Sequence, residues 1–144
     1  MIMQNTRNSD NNRAKLSRLF GRMGTICLLL IIPIKVIRLA EGHTAASIFI
    51  GIAPSILGPA GLLFLLLSSS GKLSKLTLLQ LTLLVMGVAL GLEFAQLIPR
   101  PGILARIKYT FDWLDVWSGF LSVVIGYLIA RHLILFSKRS LEKR

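Results

Sequence analysis

The chain predicts an all-α integral membrane bundle of about four transmembrane helices, on three observations. Of its 144 residues, 53% are hydrophobic and only 16% are charged. The apolar residues fall in runs of about twenty, the length of helix needed to cross a hydrocarbon core of about 30 Å. The 17 Lys and Arg residues gather at the ends of those runs rather than on one polar face.

The elements follow in order. Residues 1–22 form a basic tail that holds Asn5, Asn8, Asn11 and Asn12 beside Arg7, Arg13, Lys15, Arg18 and Arg22. Its beginning lacks a periodic apolar face and is expected to fray, while KLSRLFG (15–21) suits a short interfacial turn. Residues 23–40 are the first span. They lead into Lys35 and Arg38 with no small-residue cleavage site, which argues for an uncleaved helix over a signal peptide. His43, in the turn that follows, reads as a solvated loop residue.

The second run, 45–67, is interrupted by Pro54, Gly58, Pro59 and Gly61, so this span is kinked or broken. One kinked helix is the first reading and a re-entrant pair of half-helices the second. A polar turn, SSSGKLSK, follows. In the third run, 76–98, Gly87, Gly91 and Ala95 recur every four residues, a small-residue stripe that admits another helix. Thr82, Ala89, Glu93 and Gln96 lie on a different face. In the fourth run, 114–136, Asp115, Gly119, Ser122, Gly126 and Ala130 form one stripe that must face protein. The third and fourth helices are therefore expected to pack together through small residues. Tyr109, Trp113 and Trp117 mark an interfacial belt. The membrane domain is thus 23–136, between the basic tails 1–22 and 137–144.

Four spans return both termini to one side. That side holds twelve Lys and Arg, five in the N-terminal tail, Lys72 and Lys75 in the central turn, and five from Arg131 onward. The other side holds Lys35, Arg38, Arg100, Arg106 and Lys108. The positive-inside rule then places both termini in the cytoplasm and the 99–111 loop outside. The net charge of +11 is accordingly a membrane signature and not a nucleic-acid footprint. Cys27 is the only cysteine, so no intrachain disulfide forms, and no cysteine-based metal site or cofactor motif is present.

The candidate polar site gathers around the outer loop: Glu93, Gln96, Arg100, Arg106, Asp112 and Asp115. Ionisable groups in membrane helices face a bundle interior or a wet cavity, because facing hydrocarbon is costly. Asp112 also suits a helix N-cap, Asp115 an ion pair with Arg100 or Arg106, and Glu93 with Gln96 interhelical hydrogen bonds.

The order of Glu93 and Gln96, Pro99 with Arg100, Phe111-Asp112, Asp115 and Gly126-Tyr127 resembles the VanZ-like family of small bacterial membrane proteins, as does Pro59-Ala60-Gly61 in the second run. The chain departs from the family pattern at Gly119, where an Asn is usual, and at Ser122, where a Gly is usual. Either Arg100 or Arg106 matches the family's loop arginine. The resemblance implies a multi-pass protein of the bacterial cytoplasmic membrane with a role in the cell envelope. It also implies an antibiotic response of the kind linked to the glycopeptide teicoplanin.

Three functions then compete. A binding or envelope-modifying protein would use the outer polar cluster to meet a lipid-linked cell-wall precursor or a glycopeptide. An enzyme acting on a lipid-linked phosphate would pair two carboxylates as acid and base with an arginine clamp. The chain has no activated Ser–His or Cys–His unit, which ranks that reading second. A proton-coupled carrier built on Glu93 and Asp115 would require a homo-oligomer and ranks third.

Overall fold

The computed structural model describes residues 2–40, 46–69, 72–95 and 113–142. They form four α-helices, α1 (Ile2–Ala40), α2 (Ala46–Ser68), α3 (Leu78–Ala95) and α4 (Trp113–Glu142), with a single 3₁₀ turn at Lys72–Lys75. All four are long and apolar enough to cross a membrane, over Arg13–Ile37, Gly51–Ser68, Leu78–Ala95 and Trp113–Ser137. This is a four-span integral membrane protein.

The exterior agrees with a lipid solvent. Leu92, Trp117 and Phe136 are each about two-thirds exposed (65%, 66% and 69%), and large apolar side chains are exposed along all four helices. A water-soluble monomer would not leave so much contiguous apolar surface open. Trp113 and Trp117 lie exposed at the start of α4, at the bundle end where the tryptophan belt is expected.

Consecutive helices run antiparallel. Ser17 Oγ donates to the Ser68 carbonyl at 2.8 Å, Phe20 stacks on Phe64 with ring centroids 6.0 Å apart, and Gly24 lies against Gly61 and Leu65. The chain therefore closes both termini at one end, where Phe20, Phe64 and Ala130 form a buried cluster flanked by Leu16, Leu78 and Leu133. A second cluster, Leu63, Leu81, Val85 and Val123, fills the middle. In lipid these contacts act through close van der Waals packing, since the surrounding acyl chains are as apolar as the core.

The helix start at Leu78 is set by a reciprocal cap. The Gln80 amide donates to Thr77 Oγ1 at 3.2 Å and the Thr77 amide donates to Gln80 Oε1 at 2.9 Å.

Three expectations change. The Asn-rich beginning is helical from Ile2, and packing starts at Leu16 and Phe20, upstream of residue 23. Hydropathy sets that boundary by composition, whereas the helix continues because the apolar positions 16 and 20 already meet α2. The KLSRLFG segment is part of the same helix. The 45–67 run, by contrast, is one continuous helix containing both prolines, as the first reading has it, and the re-entrant pair is removed. α4 packs closely against the proline-containing stretch, as described below, and α2 is the hub that touches α1, α3 and α4.

The third change concerns Gly87 and Gly91. Both are exposed, and a Cβ built on either meets nothing within 4 Å. The packed face of α3 is Leu81, Thr82 and Val85, so its glycine stripe points away from this bundle. Large apolar side chains win the interior because their dispersion contacts outnumber those of a glycine ridge. The close approach through small residues occurs instead between α1 and α2. A Cβ on Gly24 would lie 2.8 Å from the Gly61 carbonyl oxygen and from the Leu65 amide nitrogen. Gly24 and Gly61 are the pair that sequence reading missed; their signal is the i, i+3 repeat of Gly21 with Gly24 and of Gly58 with Gly61.

Candidate functional site: an acidic cavity at the proline-containing helix

Proline at 59 has no N–H, so the carbonyl of Ser55 lacks its usual partner one turn on. α4 approaches this point closely because residue 119 has no side chain. A Cβ there would lie 3.5 Å from the Ser55 oxygen and 3.9 Å from Pro59 Cγ. Freed carbonyls in membrane helices are tolerated where a neighbouring helix covers them in this way. One turn further along α4, Ser122 Oγ donates to the Ile56 carbonyl. One turn earlier, Ser55 Oγ donates to Asp115 Oδ1 at 2.9 Å. A residue with an unbranched apolar side chain could not make either bond.

The stripe Asp115, Gly119, Ser122, Gly126 and Ala130 is the packed face of α4, half-buried at Asp115 and buried at the other four positions. Its main partner is α2 rather than α3. Gly126 lies against Leu63, where a Cβ would come within 3.1 Å of Leu63 Cδ2. Asp115 also occupies the first turn of α4, where the helix dipole favours an anion. Its backbone carbonyl accepts from Ser118 Oγ at 3.0 Å.

Between α2, α3 and α4 lies a cavity of about 420 Å³, within the size range of sites for small ligands. Its wall is mostly apolar, including Val85, Met86, Leu92 and Phe120, and Ser55, Glu93 and Asp115 supply its polar groups. Gly58 opens onto it, since a Cβ at that position meets nothing within 4 Å. Thr82, Ala89 and Glu93 thus belong to the bundle-facing side of α3, and the polar face of this helix is also its packing face.

Of the six predicted site residues, the structure brings Glu93 and Asp115 to one cavity. Gln96, Arg100, Arg106 and Asp112 lie outside the described residues, as do Tyr109 and His43. Ser55 was missed. Its only sequence signal was its place beside Pro54 and four residues before Pro59, which reads as helix punctuation. Among the described residues no group of three or more His, Cys, Asp or Glu is placed to hold a metal ion. Cys27 is half-buried against Gly61, at the α1–α2 contact.

No protein-family model, no curated protein and no solved structure matches this chain.

Proposed function

We propose that this four-span membrane protein is a VanZ-like component of the bacterial cell envelope whose acidic cavity meets one group of a cell-wall precursor or a glycopeptide. The chain would sit in the cytoplasmic membrane with both termini inside and the cavity end outward, the orientation favoured by twelve cations against five. The observation that carries the reading is the joining of Glu93 and Asp115 on an otherwise apolar cavity at the end of the bundle opposite the termini. An apolar wall with a few oriented polar groups is the usual make-up of a small-molecule site. Carboxylates in such a wall accept hydrogen bonds from amide or ammonium donors, which peptide precursors and glycopeptides both present, and low local dielectric strengthens those bonds. The Ser55 hydroxyl orients the Asp115 carboxylate by donating to one of its oxygens.

The test is expression in a glycopeptide-susceptible bacterium, with growth inhibition by teicoplanin as the readout. The unmodified chain should raise the inhibitory concentration. Gly58→Leu, which fills the cavity from a position with open space around it, should abolish that rise, and so should Asp115→Asn with Glu93→Gln. If the protected phenotype is absent, or survives cavity filling in a protein that still reaches the membrane, the assignment fails.

A further inference from the structure

The two ends of the bundle differ in charge among the described residues. Among the described residues, Arg13, Lys15, Arg18, Arg22, Lys75, Arg131 and Arg139 belong to the end that holds the termini, whereas Glu93 and Asp115 lie at the cavity end with Lys35.

Part of that charge is placed on the lipid-facing surface of α1. Lys15, Arg18 and Arg22 stand at i, i+3 and i+7, so they share one helix face. All three are exposed, whereas Leu16, Phe20 and Gly24 carry the contacts to the bundle. Arg22 lies two residues beyond Phe20, roughly 160° round the helix from the packed side. Among the described residues no carboxylate forms an ion pair with any of the three; Arg18 Nε donates to the Ala14 carbonyl of its own helix.

Their depth follows from the hydroxyl bond at the bundle end. Ser17 bonds to Ser68, the last residue of the second span, and taking Ser68 as the edge of the apolar layer sets the depth of its neighbours on α1. Arg22 is five residues further in, about 7.5 Å, and Lys15 is about 3 Å further out. The ladder thus spans the headgroup layer, about 5–7 Å thick on each side, and reaches the top of the hydrocarbon. A guanidinium at that depth, facing lipid, either bends back towards water or meets an anion there. The anion available at this depth is the phosphate of a lipid.

We infer that Lys15, Arg18 and Arg22 form a binding site on the outer face of α1 for the headgroup phosphate of an anionic phospholipid. Two guanidinium groups one turn apart suit two phosphate oxygens, because a planar fork pairs with an oxyanion in a bidentate manner. The lysine adds a point charge at the outer edge. The site is separate from the acidic cavity, which lies at the opposite end.

Native mass spectrometry of the full chain in detergent, titrated with phosphatidylglycerol and with phosphatidylcholine, tests this. The unmodified protein should bind phosphatidylglycerol on the order of tenfold more tightly, given roughly an additive attraction per basic residue at an anionic surface. Arg18→Gln with Arg22→Gln should bring the two lipids within about twofold of each other, with helix content unchanged because Gln is a good helix former. A control of equal charge, Lys75→Gln with Arg139→Gln, alters exposed residues at the same end and should keep the preference. Equal losses in both variants would reduce the effect to bulk charge and overturn the site, as would absence of preference in the unmodified chain. Displacement of bound phosphatidylglycerol by an equal concentration of inorganic phosphate would overturn the assignment to a lipid.

Discussion

Glycine at 24 has the tightest surroundings of the described glycines. Its missing Cβ leaves room for backbone atoms of α2 at 2.8 Å, and backbone cannot rotate out of the way. Gly24→Ala should therefore separate α1 from α2 and destabilise the bundle by about 1–3 kcal/mol, the usual cost of overpacking. Gly87→Ala adds the same methyl group where nothing lies within 4 Å, and it should leave monomer stability within about 0.5 kcal/mol. Reversible unfolding in mixed micelles, followed by circular dichroism, compares the two. Equal effects would mean that the α1–α2 approach is looser than the structure shows. Ser122 and Asp115 make the same point with polar atoms, since each has a hydrogen bond to α2 and each would lose it on replacement by Ala.

Each helix is set by a few local devices, of which the start of α3 is the clearest. Thr77 and Gln80 satisfy each other's backbone amides and stop the 3₁₀ turn at Lys72–Lys75 from running into the span. Thr77→Ala removes the hydroxyl acceptor and should cost about 1 kcal/mol. Thr77→Ser should be close to neutral. Amide exchange at Gln80 and Leu81 provides a local readout, and an unchanged rate in the alanine variant would show that solvent or lipid headgroups replace the cap. α2 shows the opposite strategy. Two prolines weaken its own hydrogen bonding, and α4 supplies a glycine, a serine hydroxyl and an aspartate to the same stretch.

At the scale of the whole molecule, four alternating helices bring both termini to the cationic end and leave the acidic cavity at the other. If the cations face the cytoplasm, a single cysteine placed at Ser140 in a Cys27→Ser background should resist an impermeant thiol reagent in intact cells. A cysteine at Gly102 should react. The reverse pattern would invert the orientation and put the cavity inside. The lipid site on α1 and the cavity would then still lie on opposite faces of the membrane, because their separation belongs to the fold and not to its direction.

What the sequence by itself determined is the solvent of this protein and the number of its spans. Run length and hydropathy depend only on composition along the chain, and the polar stripe Asp115, Gly119, Ser122, Gly126 and Ala130 could be read at 100° per residue as the protein-facing side of α4. Helical periodicity also grouped Thr82, Ala89 and Glu93 on one side of α3. It did not tell which helix each face would meet. The exposed Gly87–Gly91 stripe and the buried Gly24–Gly61 contact are both built from glycines one turn apart, and only the arrangement of all four helices shows which of them is packed. The same holds for Ser55 and Gly58. Nothing in residues 50–60 reveals that a proline-containing helix will become the hub, because the side chains that hydrogen-bond with it lie sixty or more residues away, on α4. Tertiary packing decided the partners because, in lipid, association depends on shape and on satisfied backbone bonds, and neither is a property of one segment alone.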